Sequence, residues 1–240
     1  YNEPGKFTAF MGFEYTLMQT GNNLHRNVIF RDGKDKVSTI TPWDPQDSLW
    51  PDDLWAKMEA YEKNTGGKVL AIPHNGNVSN GLMWMLTEPN GGPMSADYAR
   101  RRAAREPVVE ITQIKGDSEA HPFMSPNDEF AGYGWEKFNL LGNIATKQGD
   151  LPGSYVREAL KRGLLIEQRT GVNPYKFGVI GSTDSHTSLS TPDENNFFGK
   201  HTGVEPGPKR ATAGFVPGVN SGRMNWESLS SGYAAAWATS

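Results

Sequence analysis

Five ionisable side chains lie where a fold could gather them around metal ions. They comprise two carboxylates and three imidazoles, each of which follows or flanks a short apolar run: Glu14, His25, His74, Asp184 and His186. A set of this kind without thiolates suits zinc, manganese or iron, and can hold more than one ion. Two ions about 4 Å apart can activate a water and stabilise both the attacking and the leaving oxygen of a phosphoryl transfer.

The spacing of these residues supports the same interpretation. In an extended segment, side chains two residues apart point to one side, so Asp184 and His186 could reach one ion or bridge two. Glu14 and His25 flank a segment of turn-forming residues. A strand–turn–strand hairpin there would bring His25 back beside Glu14. The sequence therefore predicts that residues far apart along the chain form one cation site.

Three further residues are candidates for contact with the substrate rather than with a metal ion. Lys200 and His201 lie in a loop, where binding residues concentrate. Arg26 directly follows His25, and its guanidinium could hold a phosphate or form an ordinary ion pair. For His121, in another loop, both a solvated position and a substrate contact remain open.

The apolar run 108–114 contains one charged residue and is followed by another. Glu110 lies inside the run, where a carboxylate costs free energy unless it is paired. It therefore either orients a ligand histidine or lies at a solvated strand edge. Lys115 comes directly after the run, and it has the same alternatives as Arg26, a phosphate ligand or an ion pair.

Short strands separated by helices must position these side chains. Apolar runs bounded by glycine, proline or asparagine predict strands at 7–13, 27–30, 69–72, 108–114 and 177–180. Helical spacing predicts helices after Ser48, Ser95 and Ser154, the first ending at Gly66 and the third at Gly171. Because strands and helices alternate, we expect an α/β fold in which the carboxyl ends of parallel strands share one face.

Composition excludes several classes of protein. The 240 residues include no cysteine, which removes disulfides, thiolate nucleophiles and cysteine-based metal sites. A net charge of −3 without a basic stripe argues against nucleic-acid binding. No apolar run approaches the roughly 20 residues that cross a bilayer, so we expect no transmembrane segment. No glycine-rich segment has the spacing of a nucleotide-binding loop.

Six segments carry a resemblance to a known superfamily. They are FMGFEYT (10–16), GNNLHRNVIF (21–30), IPHNGN (72–77), EITQIKG (110–116), GSTDSHT (181–187) and NFFGKH (196–201). Together they resemble the PHP (polymerase and histidinol phosphatase) superfamily, within it a branch described as a domain of unknown function. The resemblance implies a distorted (β/α)7 barrel of TIM type that hydrolyses phosphoesters. It also implies that Glu14 bridges metal ions and that His25, His74, Asp184 and His186 complete the set.

The chain departs from the superfamily's pattern at its beginning. The first motif of the superfamily is an H-x-H pair on the opening strand, and this pair and the aspartate and histidine that follow it would lie before Tyr1. His121 and His201 do not have the spacing to replace them. The resemblance therefore implies one PHP-like domain over 1–240 that is truncated at its N-terminus, with a barrel that lacks its opening strands. The apolar ending 233–238 predicts truncation at the C-terminus as well, because an ordinary tail is more polar.

The resulting hypothesis is a metal-dependent hydrolase, most simply a phosphoesterase, with two or three divalent zinc, manganese or iron ions in the complete domain. Two alternatives stay open: a hydrolase of C–N bonds or sulfate esters at the same site, and a metal- or ligand-binding module without turnover. The expected partners are a small phosphorylated substrate and either a missing N-terminal segment or a second copy of the chain. The resemblance favours a periplasmic or extracellular location.

Overall fold

The structure is a computed structural model. It describes residues 2–3, 5–46, 48–133, 147–186, 207–208, 212–214, 224 and 232–235. Within these ranges the strands are β1 (Met11–Tyr15), β2 (Met18–Gln19), β3 (Asn22–Asn23), β4 (Arg26–Phe30), β5 (Val69–Pro73), β6 (Val108–Gln113), β7 (Gly116–Asp117) and β8 (Gly178–Gly181). The α-helices are α1 (Lys34–Val37), α2 (Pro51–Thr65), α3 (Ala96–Arg105) and α4 (Val156–Thr170).

The first sheet is antiparallel, with β4 between β1 and β5. Since both neighbours run opposite to β4, β1 and β5 point in the same direction. The side chains of β4 and β5 alternate between buried and half-buried positions, and their buried members join one apolar core with residues of α2, α3 and α4. A two-stranded ribbon of β2 and β3 fills the connection between β1 and β4.

The second sheet has β6 at its centre, with β8 parallel to it on one side and β7 antiparallel on the other. The register between β6 and β8 shifts between Glu110 and Thr112. Strands β5 and β6 are neighbours in space although they belong to different sheets. The carboxyl ends of β5, β6 and β8 each lead into a segment that carries a candidate site residue.

The expected (β/α)7 barrel is wrong for the part of the chain that the structure describes. The described strands form sheets of two and three strands, and these sheets do not close. The connection from β1 to β4 explains part of the difference, because the ten residues 16–25 are too few for the crossover that a parallel pair requires. The fold is instead a mixture of helices with mainly antiparallel strands, and β6–β8 is its parallel pair.

Four of the predicted strands are confirmed to within one residue at each end, as β4, β5, β6 and β8. The first predicted strand is only partly right, because β1 begins at Met11 instead of Phe7. Phe7 and Phe10 are 61% and 67% exposed, whereas the prediction placed them in the interior. Strand β1 lies at the edge of its sheet, and most of its side chains are exposed or half-buried.

The predicted helix ends agree with the structure except at the start of α4. Ser95 caps α3 by accepting a hydrogen bond from the Tyr98 amide at 3.2 Å, and α2 and α4 end at Gly66 and Gly171, which have φ of 63° and 77°. Ser154 does not cap α4, because its hydroxyl accepts a hydrogen bond from the Gly81 amide at 2.8 Å instead. The described helices are too short or too polar to span a bilayer.

A buried network of charges joins the first sheet to α2 and α3. Glu106 accepts hydrogen bonds from Arg26 Nε at 3.0 Å and from Trp55 Nε1 at 2.9 Å, and its other oxygen lies 3.1 Å from an Arg102 guanidinium nitrogen. Burial alone would raise the pKa of Glu106, but the two guanidiniums outweigh it and hold the pKa below its ordinary value. The carboxylate therefore stays ionised in the core.

Replacing Glu106 by Gln should destabilise the fold strongly. The variant leaves two buried guanidiniums without a counter-charge, and breaking such a pair costs about 3–5 kcal/mol. Urea denaturation measures the loss. The matched control is Glu59→Gln, whose partner Arg101 and whose own side chain are both partly exposed, so that the cost should stay below about 1 kcal/mol. Equal losses in the two variants would contradict the structural role of the buried network.

Candidate metal centre

Three of the five predicted ligands meet at one end of the first sheet. Glu14 lies near the carboxyl end of β1, His25 directly precedes β4, and His74 directly follows β5. Because β4 runs opposite to its neighbours, its beginning lies beside the ends of both. The ladder continues past the strand ends, since the His74 amide donates to the His25 carbonyl at 3.3 Å. The hairpin predicted to return His25 to Glu14 is thus confirmed.

Both imidazoles point at the same carboxylate oxygen. His25 Nδ1 lies 2.8 Å and His74 Nε2 lies 3.1 Å from Glu14 Oε1. The two rings meet edge to face, with centroids 5.6 Å apart. One ligand atom from each of the three residues lies within 4.8 Å of the other two. This convergence of one oxygen and two nitrogens is the geometry of a possible cation site.

The electrostatics of the triad favour the protonation states that bind a divalent ion. Hydrogen bonds from His25 and His74 hold the pKa of Glu14 far below its ordinary value, and this outweighs partial burial. Burial lowers the pKa of His25, although the Glu14 carboxylate opposes the shift. At neutral pH, Glu14 is therefore an anion and His25 a neutral imidazole, as a metal requires of its ligands.

The polar groups around the triad also fit a bound ion with its waters. The His25 and His74 side chains are 12% and 3% exposed, whereas Glu14 is 37% exposed and faces solvent. Within the described residues, the second nitrogen of each ring and both amide atoms of buried Asn75 have no hydrogen-bond partner. Leaving such polar atoms unsatisfied costs about 1–3 kcal/mol each, so they are suited to contact with a bound ion or its waters.

Asp184 and His186 form a second cluster after β8. His186 Nε2 lies 3.3 Å from Asp184 Oδ1, which agrees with the prediction that both side chains lie on one side of the segment. The other oxygen of Asp184 forms an ion pair with the ammonium of Lys115, which follows β6. Asp184 has a φ of 48°, a left-handed conformation that non-glycine residues seldom adopt. Neither Asp184 nor His186 belongs to the group within 4.8 Å.

Lys115 connects the two clusters. Its carbonyl accepts a hydrogen bond from Asn77 Nδ2 at 3.0 Å, and Asn77 follows the triad's His74 by three residues. Its ammonium pairs with Asp184, and the pKa of His25, lowered chiefly by burial, is lowered further by the Lys115 charge. Three of the predicted ligands therefore converge in the triad, and the other two form a separate pair that is linked to the segment after His74 through Lys115 and Asn77.

The structure resolves two of the alternatives that the sequence left open around Arg26 and Glu110. Arg26 is fully buried and paired with Glu106, which favours the ion pair over a phosphate contact. Glu110 is 3% exposed on the central strand β6, so it does not lie at a solvated edge. Its carboxylate accepts a hydrogen bond from the Ser182 hydroxyl, two residues before Asp184. The hydrogen bond of Glu110 is thus to the segment that leads to Asp184 and not to a ligand histidine.

The remaining candidates lie away from the triad or outside the described part of the chain. His121 packs edge-on against Tyr155 and accepts a hydrogen bond from the Phe123 amide at 3.1 Å, so it is largely buried instead of solvated. Lys200 and His201 lie outside the described residues. Buried Asn75 was not among the predicted site residues, and its signal in the sequence was an asparagine between a candidate ligand histidine and a glycine.

Strand β7, which follows Lys115, ends with a carboxylate that has an unusual pKa. Asp117 accepts hydrogen bonds from the amides of Glu119 and Ala120, at 2.8 and 3.2 Å. Burial nevertheless raises the pKa of Asp117 to about 6. Between pH 4 and 6 the folded chain therefore keeps a proton that the unfolded chain has released. This contribution to stability is present below pH 4 and is lost as the pH rises through 6.

Asp117→Asn should remove this pH dependence, because the amide stays neutral. The unfolding free energy of the variant minus that of the wild type should therefore increase from pH 4 to pH 7. The increase should reach about 2 kcal/mol, since one pKa unit corresponds to roughly 1.4 kcal/mol. Urea titrations at several pH values measure the difference. Asp128→Asn is the control of opposite sign, since the hydrogen bond from Arg157 lowers the pKa of Asp128. A constant difference between wild type and Asp117→Asn would contradict the assignment.

His74→Ala should reduce the binding of divalent metal by the whole chain. The substitution removes one of three converging ligand atoms, and even losses outside the ligand set cost about 10–100-fold in metal affinity. Elemental analysis after dialysis against zinc, manganese or iron measures the bound ion. His121→Ala is the matched control, because His121 is a largely buried histidine outside the triad. Equal metal content in both variants would count against the site.

The chain matches a known protein family over its full length. A family model described as "Protein of unknown function (DUF3604)" matches residues 1–240, the whole of the chain. No curated protein matches the chain, and neither does any solved structure. The family description assigns no activity.

Proposed function

Since the chain belongs to the DUF3604 family, we propose its function from its own side chains: a metal-dependent hydrolase that cleaves phosphoesters. The observation that carries the proposal is the convergence of Glu14, His25 and His74 within 4.8 Å. These residues would hold a first divalent ion, and Asp184 with His186 would hold another beside it. Oxygen and nitrogen donors without sulfur suit zinc, manganese or iron.

The three residues of the triad differ in exposure, so some would hold the ion while another leaves it accessible to solvent. When bound, a divalent ion supplies Lewis acidity and acidifies a coordinated water. His74 is buried and His25 is largely so, and both are fixed by the ends of β4 and β5, so they set the direction of the ligand atoms. Glu14 contributes the negative charge from the partly exposed edge strand, which leaves one side of the site open to solvent. Substrate would approach from that side.

The sequence resemblance to the PHP superfamily supports the same reaction class. It concerns the segments that carry Glu14, His25, His74, Asp184 and His186, and it favours phosphoesters over other substrates. A related hydrolase of C–N bonds or sulfate esters would use the same ligands, because the ligands select the ion whereas the surrounding loops select the substrate.

A metal-binding module without turnover is the second candidate. The observation that favours it is the position of Asp184, which pairs with Lys115 and lies outside the converging group of three. A site with a single ion and no second cluster can bind a ligand without activating it. Turnover distinguishes this candidate from the hydrolase.

Hydrolysis of p-nitrophenyl phosphate by the whole chain should depend on added zinc, manganese or iron. Glu14→Gln and Asp184→Asn should each lower kcat/KM by about 100-fold or more, at least the range found for residues that support metal ligands. Glu119→Gln is the matched control, because Glu119 is a partly exposed carboxylate paired with Arg157. Aryl sulfate and anilide substrates with the same leaving group rank the alternatives.

Two results would overturn the hydrolase. One is an absence of metal-dependent turnover on every substrate while the triad still binds metal, which would favour the binding module. The other is full activity in Glu14→Gln.

A further inference from the structure

Lys115 is a largely buried lysine between the two clusters of candidate ligands. Its side chain is 9% exposed, and its ammonium forms an ion pair with the Asp184 carboxylate. Asp184 presents its other oxygen to His186, at 3.3 Å from Nε2. The ammonium and the imidazole thus lie on different oxygens of one carboxylate, so Lys115 and a metal ion beside His186 need not compete for the same atom.

The backbone around Lys115 is held by side chains on both sides. The Lys115 amide donates to Gln113 Oε1 at 2.9 Å, and the Lys115 carbonyl accepts from Asn77 Nδ2 at 3.0 Å. Asn77 is itself buried and also hydrogen-bonded to Ser118. Gly116 follows with a φ of 113°, which turns the chain sharply into β7. These contacts fix the backbone of Lys115, and the ion pair with Asp184 together with burial restricts its side chain.

A positive charge in this position has a chemical consequence for the substrate. An ammonium group has three N–H donors, so it can contact a carboxylate and a second anion at the same time. Its charge favours a substrate group that is itself negative and offers several oxygens. A neutral amide gains little there, whereas a phosphate or sulfate group gains a charge-assisted hydrogen bond.

We propose that Lys115 binds a non-bridging oxygen of a tetrahedral oxyanion, so that the substrates of this site are phosphate or sulfate esters and not neutral amides. The inference rests on the proposed function for the reaction itself, but the binding of the anion does not require turnover. The rival explanation is that Lys115 only orients Asp184, as a positioning residue without substrate contact.

Calorimetric titration of inorganic phosphate, and separately of inorganic sulfate, into the manganese-loaded chain tests the proposal. Lys115→Met should weaken phosphate binding about 10-fold or more at unchanged manganese content, since the loss of one charge-assisted hydrogen bond removes about 1.5–3 kcal/mol. Lys115→Arg keeps the charge and should retain most of the affinity. The matched control is Lys161→Met, whose side chain is 64% exposed on α4 and should bind phosphate like the wild type.

Several results would overturn the inference. The inference is wrong if Lys115→Met binds phosphate as tightly as the wild type. It is also wrong if the wild-type chain binds neither phosphate nor sulfate. A loss of phosphate affinity that merely follows a loss of manganese would support the positioning role instead. If Lys115→Met does not fold by circular dichroism, Lys115→Gln takes its place. The relative affinities for phosphate and sulfate assign the class of ester.

The failure of this inference is distinguishable from that of the hydrolase. Anion binding that requires Lys115, without turnover of any ester, would leave the oxyanion site standing and remove the proposed reaction. Metal-dependent hydrolysis whose KM for aryl phosphate is the same in Lys115→Met would keep the reaction and remove the role of Lys115.

Discussion

A single carboxylate oxygen organises the candidate site. Glu14 Oε1 receives His25 from one side and His74 from the other, and the three residues come from the end of β1, the start of β4 and the end of β5. This meeting point exists only because β4 runs opposite to both neighbours. A shift of one residue in either pairing would turn one of the three side chains to the other face of the sheet. The register of the first sheet is therefore the constraint on which the site depends.

A buried ion pair in the core stabilises the register of the first sheet. Arg26, the residue after His25, points the other way and is bound by Glu106, which also accepts a hydrogen bond from Trp55 on α2. The start of β4 is thus joined to a helix and to the segment after α3. The cost of burying these charges is offset by their mutual attraction, and the arrangement fixes where β4 begins. The ion pair between Arg26 and Glu106 thus also helps to position the neighbouring His25, whose own side chain contacts Glu14.

The sequence alone predicted the short-range features of this arrangement. Apolar runs located four strands closely, and the turn-rich segment before His25 predicted the hairpin that returns it to Glu14. The barrel was wrong because a strand's composition does not say which strand it pairs with, or in which direction. The burial of Arg26 could not be foreseen either, since its partner lies 80 residues away along the chain. Phe7 and Phe10 resembled interior residues, but apolar character does not distinguish a core strand from an exposed approach to an edge strand.

The three ligands of the triad do not share the same local stability. His25 directly precedes the central strand β4, and His74 directly follows β5, whose Val69 and Ala71 pack in the apolar core, whereas the carboxylate is carried by the mostly exposed strand β1, which is hydrogen-bonded to β4 on one side. Fraying of that strand would withdraw Glu14 and leave the histidines in place. By linkage, an ion that binds only the assembled triad must then suppress the fraying, by an amount set by its concentration relative to its dissociation constant. Metal occupancy of the site and the protection of β1 amides from hydrogen exchange therefore both depend on the equilibrium between frayed and paired β1.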